Sequence, residues 1–254
     1  LHERSQATLD PTAIGHEGGA GHVTGRAIYT DEQHPPKGML SVWPVCAPHA
    51  HARVLSMDTR AAATMPGVVC VLTARDIPGE NNTGSILKDE PVIADTLVSF
   101  HSQSVAWVVA ENEDAAREAA AKVTVEYEVL APIVTIEQAI AAEAFHMPAS
   151  RIVRGDVDQA LARAPVVLEG QLDIGGQEHF YLETQASWTA FDSEGVLQVV
   201  SSTQHPSETQ QVVAHVLGLS ASQVVCRSLR MAHRPAGADQ ARTRAGYAHD
   251  GQAP

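Results

Sequence analysis

Apolar residues in this chain recur in two rhythms, and the rhythms alternate along it. A period of two, or a short continuous apolar run, predicts strands over residues 23–29, 39–46, 53–57, 68–72, 105–109 and 124–129. The run 105–109 is apolar throughout, as is 68–72, which suits strands buried in a sheet. Between them, residues 61–65 read as a short helix that Asp58 can cap, closed by Pro66 and Gly67. Residues 111–123 read as a longer helix, with Asn112 as its cap, acidic Glu113 and Asp114 in the first turn and a Glu113–Arg117 pair one turn apart. Proline and glycine place loops over 30–38 and 73–95.

Past residue 130 the pattern thins and then resumes. A short helix is expected over 136–142. A second follows over 157–164, where Asp156 is the cap and Val157, Ala160, Leu161 and Ala164 recur at helical spacing. The Arg154-Gly155-Asp156 tripeptide is therefore a helix start and not an adhesion motif. Residues 168–174 alternate cleanly and predict a strand. Residues 187–191 and 196–203 predict a hairpin around Asp192-Ser193-Glu194-Gly195. Pro206 opens a helix that Gly218 stops, and a strand follows over 223–227. Strands with interspersed helices give an α+β class for both halves.

Composition narrows the partners. The net charge of -13 argues against nucleic acid and against anionic membrane surfaces. No run approaches the ~20 apolar residues of a membrane span, and residues 1–10 have no apolar leader core. Cys46, Cys70 and Cys226 are scattered and form no CxxC pair, so neither a zinc ribbon nor an iron–sulfur site is expected, and a reducing, cytoplasmic setting is. His16 and His22 lie in a glycine-bearing lead that lacks the GKS or GKT of a phosphate loop. His49 and His51 share an i, i+2 spacing that could hold a metal, but with no third ligand nearby they read as a polar edge before a strand.

The densest chemistry is the run Gly175-Gly176-Gln177-Glu178-His179-Phe180-Tyr181-Leu182-Glu183-Thr184-Gln185. Two glycines end the preceding strand and allow a tight turn or a close approach to a ligand. Carboxylates, an imidazole, amides and two rings then follow together. That mixture describes either a polar cluster held against an apolar wall, as in a buried cofactor site, or a strand end whose polar groups cap neighbouring backbone.

This run resembles the segment of the xanthine dehydrogenase molybdenum-binding subunit that carries the glutamine beside the metal. Further landmarks resemble the hammerhead domain of the same molybdenum hydroxylase family: His22-Val23-Thr24-Gly25, His49-Ala50-His51-Ala52-Arg53, Pro66-Gly67-Val68-Val69, Asp76-Ile77-Pro78-Gly79 and Val125-Glu126-Tyr127-Glu128. Ser102 stands where the resemblance leads one to expect glycine, and serine is strained there if φ is positive. Ser202-Thr203-Gln204 followed by Pro206 resembles the opening of the family's cofactor-binding domain.

The resemblance implies a flexible lead over 1–19, a hammerhead domain over 20–131, a linker over 132–150 and the incomplete start of a molybdopterin-binding domain over 151–227. It implies hydroxylation of hypoxanthine or xanthine towards urate, with oxygen from water and electrons passed to an Fe–S/FAD partner subunit. Gln177 is then the cofactor-binding amide beside molybdenum: its NH2 can donate to an oxo ligand without adding charge. Glu178 and Glu183 are structural, His179 is a satisfied core imidazole, and Phe180 and Tyr181 pack. From Ser228 the chain holds one leucine, no valine, isoleucine or phenylalanine, four arginines and seven alanines. The family's glycine-rich cofactor loop, substrate residues and general base find no counterpart. The expectation is therefore a chain truncated or frameshifted after about residue 227, with an aberrant tail over 228–254, no catalytic residue of its own and no cofactor held by itself. Two other readings stay open: a related hydroxylase acting on aldehydes or other heterocycles, and a non-catalytic module that docks to the Fe–S/flavin subunit.

Overall fold

A computed structural model of the chain describes residues 19–33, 36–84, 86–176 and 185–229. It opens on a short helix α1, Gly19–Val23. Next come β1, Ser41–Cys46, β2, Ala52–Asp58, the helix α2, Arg60–Ala63, and β3, Val68–Leu72. After a loop follow β4, Leu97–Val98, β5, Ser104–Ala110, the helix α3, Glu113–Ala120, and β6, Thr124–Val129. Helices α4, Ile136–Ala141, and α5, Val157–Arg163, lie in the next stretch. The chain then forms β7, Ser187–Phe191, β8, Leu197–Ser201, α6, Pro206–Leu217, and β9, Val224–Arg227.

The first part holds two antiparallel three-stranded sheets, in the orders β1-β5-β3 and β4-β2-β6. β5 is central in its sheet and buried on both faces, which is why its sequence is apolar throughout. One side of it meets α2 and α3: Val108 packs with Ala62, Ala119 and Ala120, bordered by Trp43, Val68 and Val71. On the other side Val105 joins Ala47, Ala52, Ala94 and Val98, bordered by Val54, Val125 and Tyr127. The core thus sits between the sheets and again between one sheet and its helices.

Several local signals form as the pattern predicts. Asn112 caps α3 by accepting a 2.9 Å hydrogen bond from Ala115 N–H. Asp156 caps α5 in the same way through Gln159 N–H at 2.9 Å. Ser102 adopts φ of +69°, the left-handed region that favours glycine.

Other expectations are corrected. Residues 23–29 form no strand; α1 ends there, with Thr24 Oγ1 donating back to Ala20 O at 2.6 Å. Residues 168–174 form no strand either, and Leu168, Leu172 and Ile174 are 92%, 81% and 78% exposed. Alternation selects a face but supplies no ladder partner, and an unpaired strand has nothing to hold it. Arg117 pairs with Asp114, at 2.6 Å, instead of Glu113. Thr59, not Asp58, occupies the cap position of α2, although Asp58 Oδ1 still accepts from Arg60 N–H at 3.0 Å. β3 lies at a sheet edge and is only half-buried, because β5 and not β3 takes the centre.

Candidate functional site

Gln177 and its neighbours 178–184 lie outside the described residues, and so does the tail from Arg230; the flanks of the dense run are described. Gly175 and Gly176 are exposed at its entry. Its exit is pinned: Ala186 N–H donates to Ser202 Oγ at 3.0 Å, and Ser202 N–H donates to Ala186 O at 3.0 Å. Both residues are buried. The run therefore leaves beside the carboxyl end of β8, at the corner where the chain turns into α6.

That corner is built from hydroxyls. Thr203 Oγ1 accepts from His205 N–H at 3.1 Å and from Thr209 Oγ1 at 3.2 Å. Pro206 follows at the first helical position, where a missing N–H costs nothing because the first-turn donors have no intrahelical acceptor. β7 pairs antiparallel with β8 and β9 pairs parallel with it, so β8–α6–β9 is a strand–helix–strand unit. In such units ligands collect at the carboxyl ends of the strands, near the amino end of the helix. The apolar seam Leu197, Val199, Ala214 and Val224 seats α6 on the sheet. Ser201 is 0% exposed and its Oγ finds no hydrogen-bond partner; Trp188 Nε1 is likewise buried and unpartnered. Buried polar atoms of this kind call for a partner.

Titratable groups nearby serve the fold. Burial pushes the Cys226 thiol on β9 up to about 11, so it is protonated and a poor ligand at neutral pH. Asp192 is held below the usual carboxylate range, first by Val196 N–H, as the anchor of the hairpin turn. His49 meets Tyr127 edge-on, with ring centroids 5.1 Å apart, while His51 Nδ1 contacts Ala131 O at 3.1 Å. The two histidines thus face different partners and form no pair. His22 Nδ1 contacts the Tyr29 hydroxyl at 3.0 Å. No group of three or more His, Cys, Asp or Glu side chains converges on a metal position among the described residues. The neutral hydroxyls of Ser201, Ser202 and Thr203 at the corner instead suit a polar organic cofactor that brings its own metal. Only the Ser-Thr-Gln-x-Pro order marks the corner in the sequence; that Ala186 and Ser202 bind each other is a tertiary fact.

Comparison with known proteins agrees with this layout. Residues 24–131 match the aldehyde oxidase and xanthine dehydrogenase a/b hammerhead domain, and residues 139–231 match the molybdopterin cofactor-binding domain. A xanthine dehydrogenase of Oryza sativa subsp. japonica is 40% identical over 229 residues, covering 87% of this chain and 17% of that protein. Aldehyde oxidase 1 of Bos taurus is 38% identical over 231 residues, covering 89% of this chain and 17% of that protein. Among solved structures, the aldehyde oxidoreductase of Desulfovibrio gigas superposes with a TM-score of 0.73 at 27% identity, over 84% of this chain and 26% of that one. Quinoline 2-oxidoreductase of Pseudomonas putida 86 gives 0.72 at 27% identity, over 85% and 29%. The chain spans 16–17% of the length of the curated relatives it matches.

Proposed function

The chain belongs to the aldehyde oxidase and xanthine dehydrogenase family, whose hammerhead and molybdopterin cofactor-binding domains occupy it in that order, and from this premise we propose that it is the front part of a xanthine dehydrogenase molybdenum-binding subunit. The proposed domains span 20–131 and 151–227, with a linker over 132–150 whose second half already falls within the cofactor-binding match. The observation that carries the proposal is identity: xanthine dehydrogenases from plants and an insect match at 40–42% over 82–87% of the chain. When bound, molybdenum-molybdopterin would supply the redox chemistry for hydroxylating a purine carbon with oxygen from water, the electrons passing to Fe–S clusters and FAD on a partner subunit. This chain's part is to bind and orient. Gln177 would hold the cofactor through its side-chain amide, and the buried corner of Ser201, Ser202 and Thr203 fixes Ala186, the residue that follows the Gln177 run. Gln177 is the only site residue that the family resemblance maps onto this chain, so the chain alone holds no cofactor and turns over no substrate. Three cysteines without a disulfide among them support a cytoplasmic setting.

The 38% identity to a bovine aldehyde oxidase favours a second reading, a related hydroxylase of aldehydes or N-heterocycles. A graft separates the two. Residues 24–227 replace their counterparts in a complete xanthine dehydrogenase, and dye reduction is followed with xanthine and with an aldehyde. Xanthine turnover is expected to survive, and Gln177→Ala in the graft to lower it about 10–100-fold with molybdenum content unchanged. A graft that oxidises only aldehydes gives the assignment to the second reading. Stoichiometric molybdenum on the isolated chain overturns the claim that it holds none.

A further inference from the structure

The last carbonyls of a helix have no intrahelical donor, and something else must supply one. At the end of α6 the usual device is present. Gly218 takes the left-handed conformation, φ +66°, its N–H meets His215 O at 3.2 Å, and Leu219 N–H meets Ala214 O at 2.8 Å. Two further donors come from far away in the chain. Gly79 N–H donates to Val216 O at 2.9 Å and Glu80 N–H to His215 O at 3.3 Å. Gly79 and Glu80 belong to the hammerhead match, and α6 to the cofactor-binding match.

We infer that the Pro78-Gly79-Glu80 loop of the hammerhead domain is the C-terminal cap of α6, and that this cross-domain cap sets the orientation of the cofactor-binding unit. Three observations carry the inference. First, the approach is backbone on backbone: a Cβ built on Gly79 falls 2.6 Å from Gly218 N and 2.7 Å from Val216 O, and closer still to His215 O. No side chain fits there, and none of the three atoms can swing away. Second, Gly218 faces the same seam, its own Cβ position lying 3.6 Å from Pro78 O and 3.7 Å from Gly79 Cα. Third, Glu80 Oε2 and His215 Nε2 form a hydrogen bond across the seam, holding the loop in register with the last turn. That pair is about half exposed and adds little; the backbone contacts hold the seam.

The consequence reaches the candidate site through α6 itself. His215 follows Ala214, which is buried against Leu197, Val199 and Val224. The first turn of the same helix carries the Thr209–Thr203 contact of the hydroxyl corner. Holding the carboxyl end of this helix of 12 residues therefore fixes where its amino end meets β8. Gly79 and Glu80 are positioning residues, acting through α6, and this role is independent of which substrate the family reading assigns.

Hydrogen exchange on the full chain tests it. In Gly79→Ala, amides in α6 are expected to lose about tenfold or more of their protection, while those of β5 keep theirs, since the disturbed atoms are the two capping bonds and the three α6-end backbone atoms that the new Cβ would meet. Glu80→Gln, which leaves both backbone bonds, is expected to change α6 protection by less than about threefold. Unchanged α6 protection in Gly79→Ala overturns the inference. So does an equal loss in β5 and α6, which makes Gly79 a residue of the hammerhead fold alone. An effect of Glu80→Gln as large as that of Gly79→Ala moves the seam from backbone to side chains and overturns it too, as does an α6 already unprotected in the unmodified chain.

Discussion

Helices α3 and α5 start from the same instructions and end differently. Each has a side-chain cap, Asn112 or Asp156, accepting from the N–H three residues on at 2.9 Å. Each carries acidic charge in its first turn, Glu113 and Asp114 in α3 and Asp158 in α5, and a basic residue in its last. Yet α3 buries Ala116, Ala119 and Ala120 against β5 and its neighbours, whereas α5 buries nothing. The contrast extends to the regions around them. Residues 39–130 close two sheets over two apolar clusters, while no residue from 131 to 176 is buried. Capping and periodicity start a helix; only a surface to pack on anchors it.

The sharpest way to probe that contrast is to remove the same kind of apolar group from each region. Val108→Ala removes a side chain that is 0% exposed in the α3 cluster and is expected to cost about 2 kcal/mol by chemical denaturation. Leu161→Ala, at a position on α5 that is 55% exposed, is expected to stay within about 0.5 kcal/mol. A comparable loss at Leu161 breaks the comparison, because α5 is then anchored after all.

Ser102 offers a smaller effect of opposite sign. Its φ of +69° is enforced by the turn into β5, where its N–H donates to Ala47 O at 2.9 Å. Ser102→Gly relieves that conformation and is expected to raise stability by about 1 kcal/mol, read as a higher denaturation midpoint. An unchanged or lower midpoint shows that the Ser102 Oγ contact with His101 Nδ1 offsets the strain.

The smallest effect is the acid response of the first region. Arg60, through its side chain and then its backbone N–H, lowers the Asp58 carboxyl from 3.8 to about 2. A carboxyl lowered on folding stabilises the fold above its unfolded value, so this contribution is complete above about pH 4 and is lost as pH falls toward 2. The pair is exposed, and the effect shrinks with salt. Asp58→Asn is expected to flatten the slope of stability between pH 4 and 2, slightly. Equal slopes in the two proteins remove Asp58 from the acid response.

Legibility followed the same divide. Every strand expected between 39 and 130 formed, because alternation, continuous apolar runs and turn residues there agree with the partners that close the sheets. The two strands that did not form, 23–29 and 168–174, have equally good alternation and no ladder partner among the described residues. A charge pair shows the same limit: helical spacing allows both Glu113 and Asp114 to reach Arg117, and the structure gives the bond to Asp114. At the candidate site, the dense polar run and the Ser202-Thr203 order were visible in the linear sequence. The contact that joins their ends was not, because Ala186 and Ser202 meet only when β7 and β8 pair.

By itself, the sequence determined the α+β class, the caps at Asn112 and Asp156, the stop at Gly218, the strained turn at Ser102 and the family resemblance. All of these rest on chemistry within a few residues of one another, where side-chain type and spacing suffice. Only the tertiary structure decided which apolar faces are covered, that Ser201 and Trp188 carry buried polar atoms without partners, and that Gly79 approaches the end of α6. Those depend on residues brought together across long loops, and no local pattern states which backbone N–H will find which distant carbonyl.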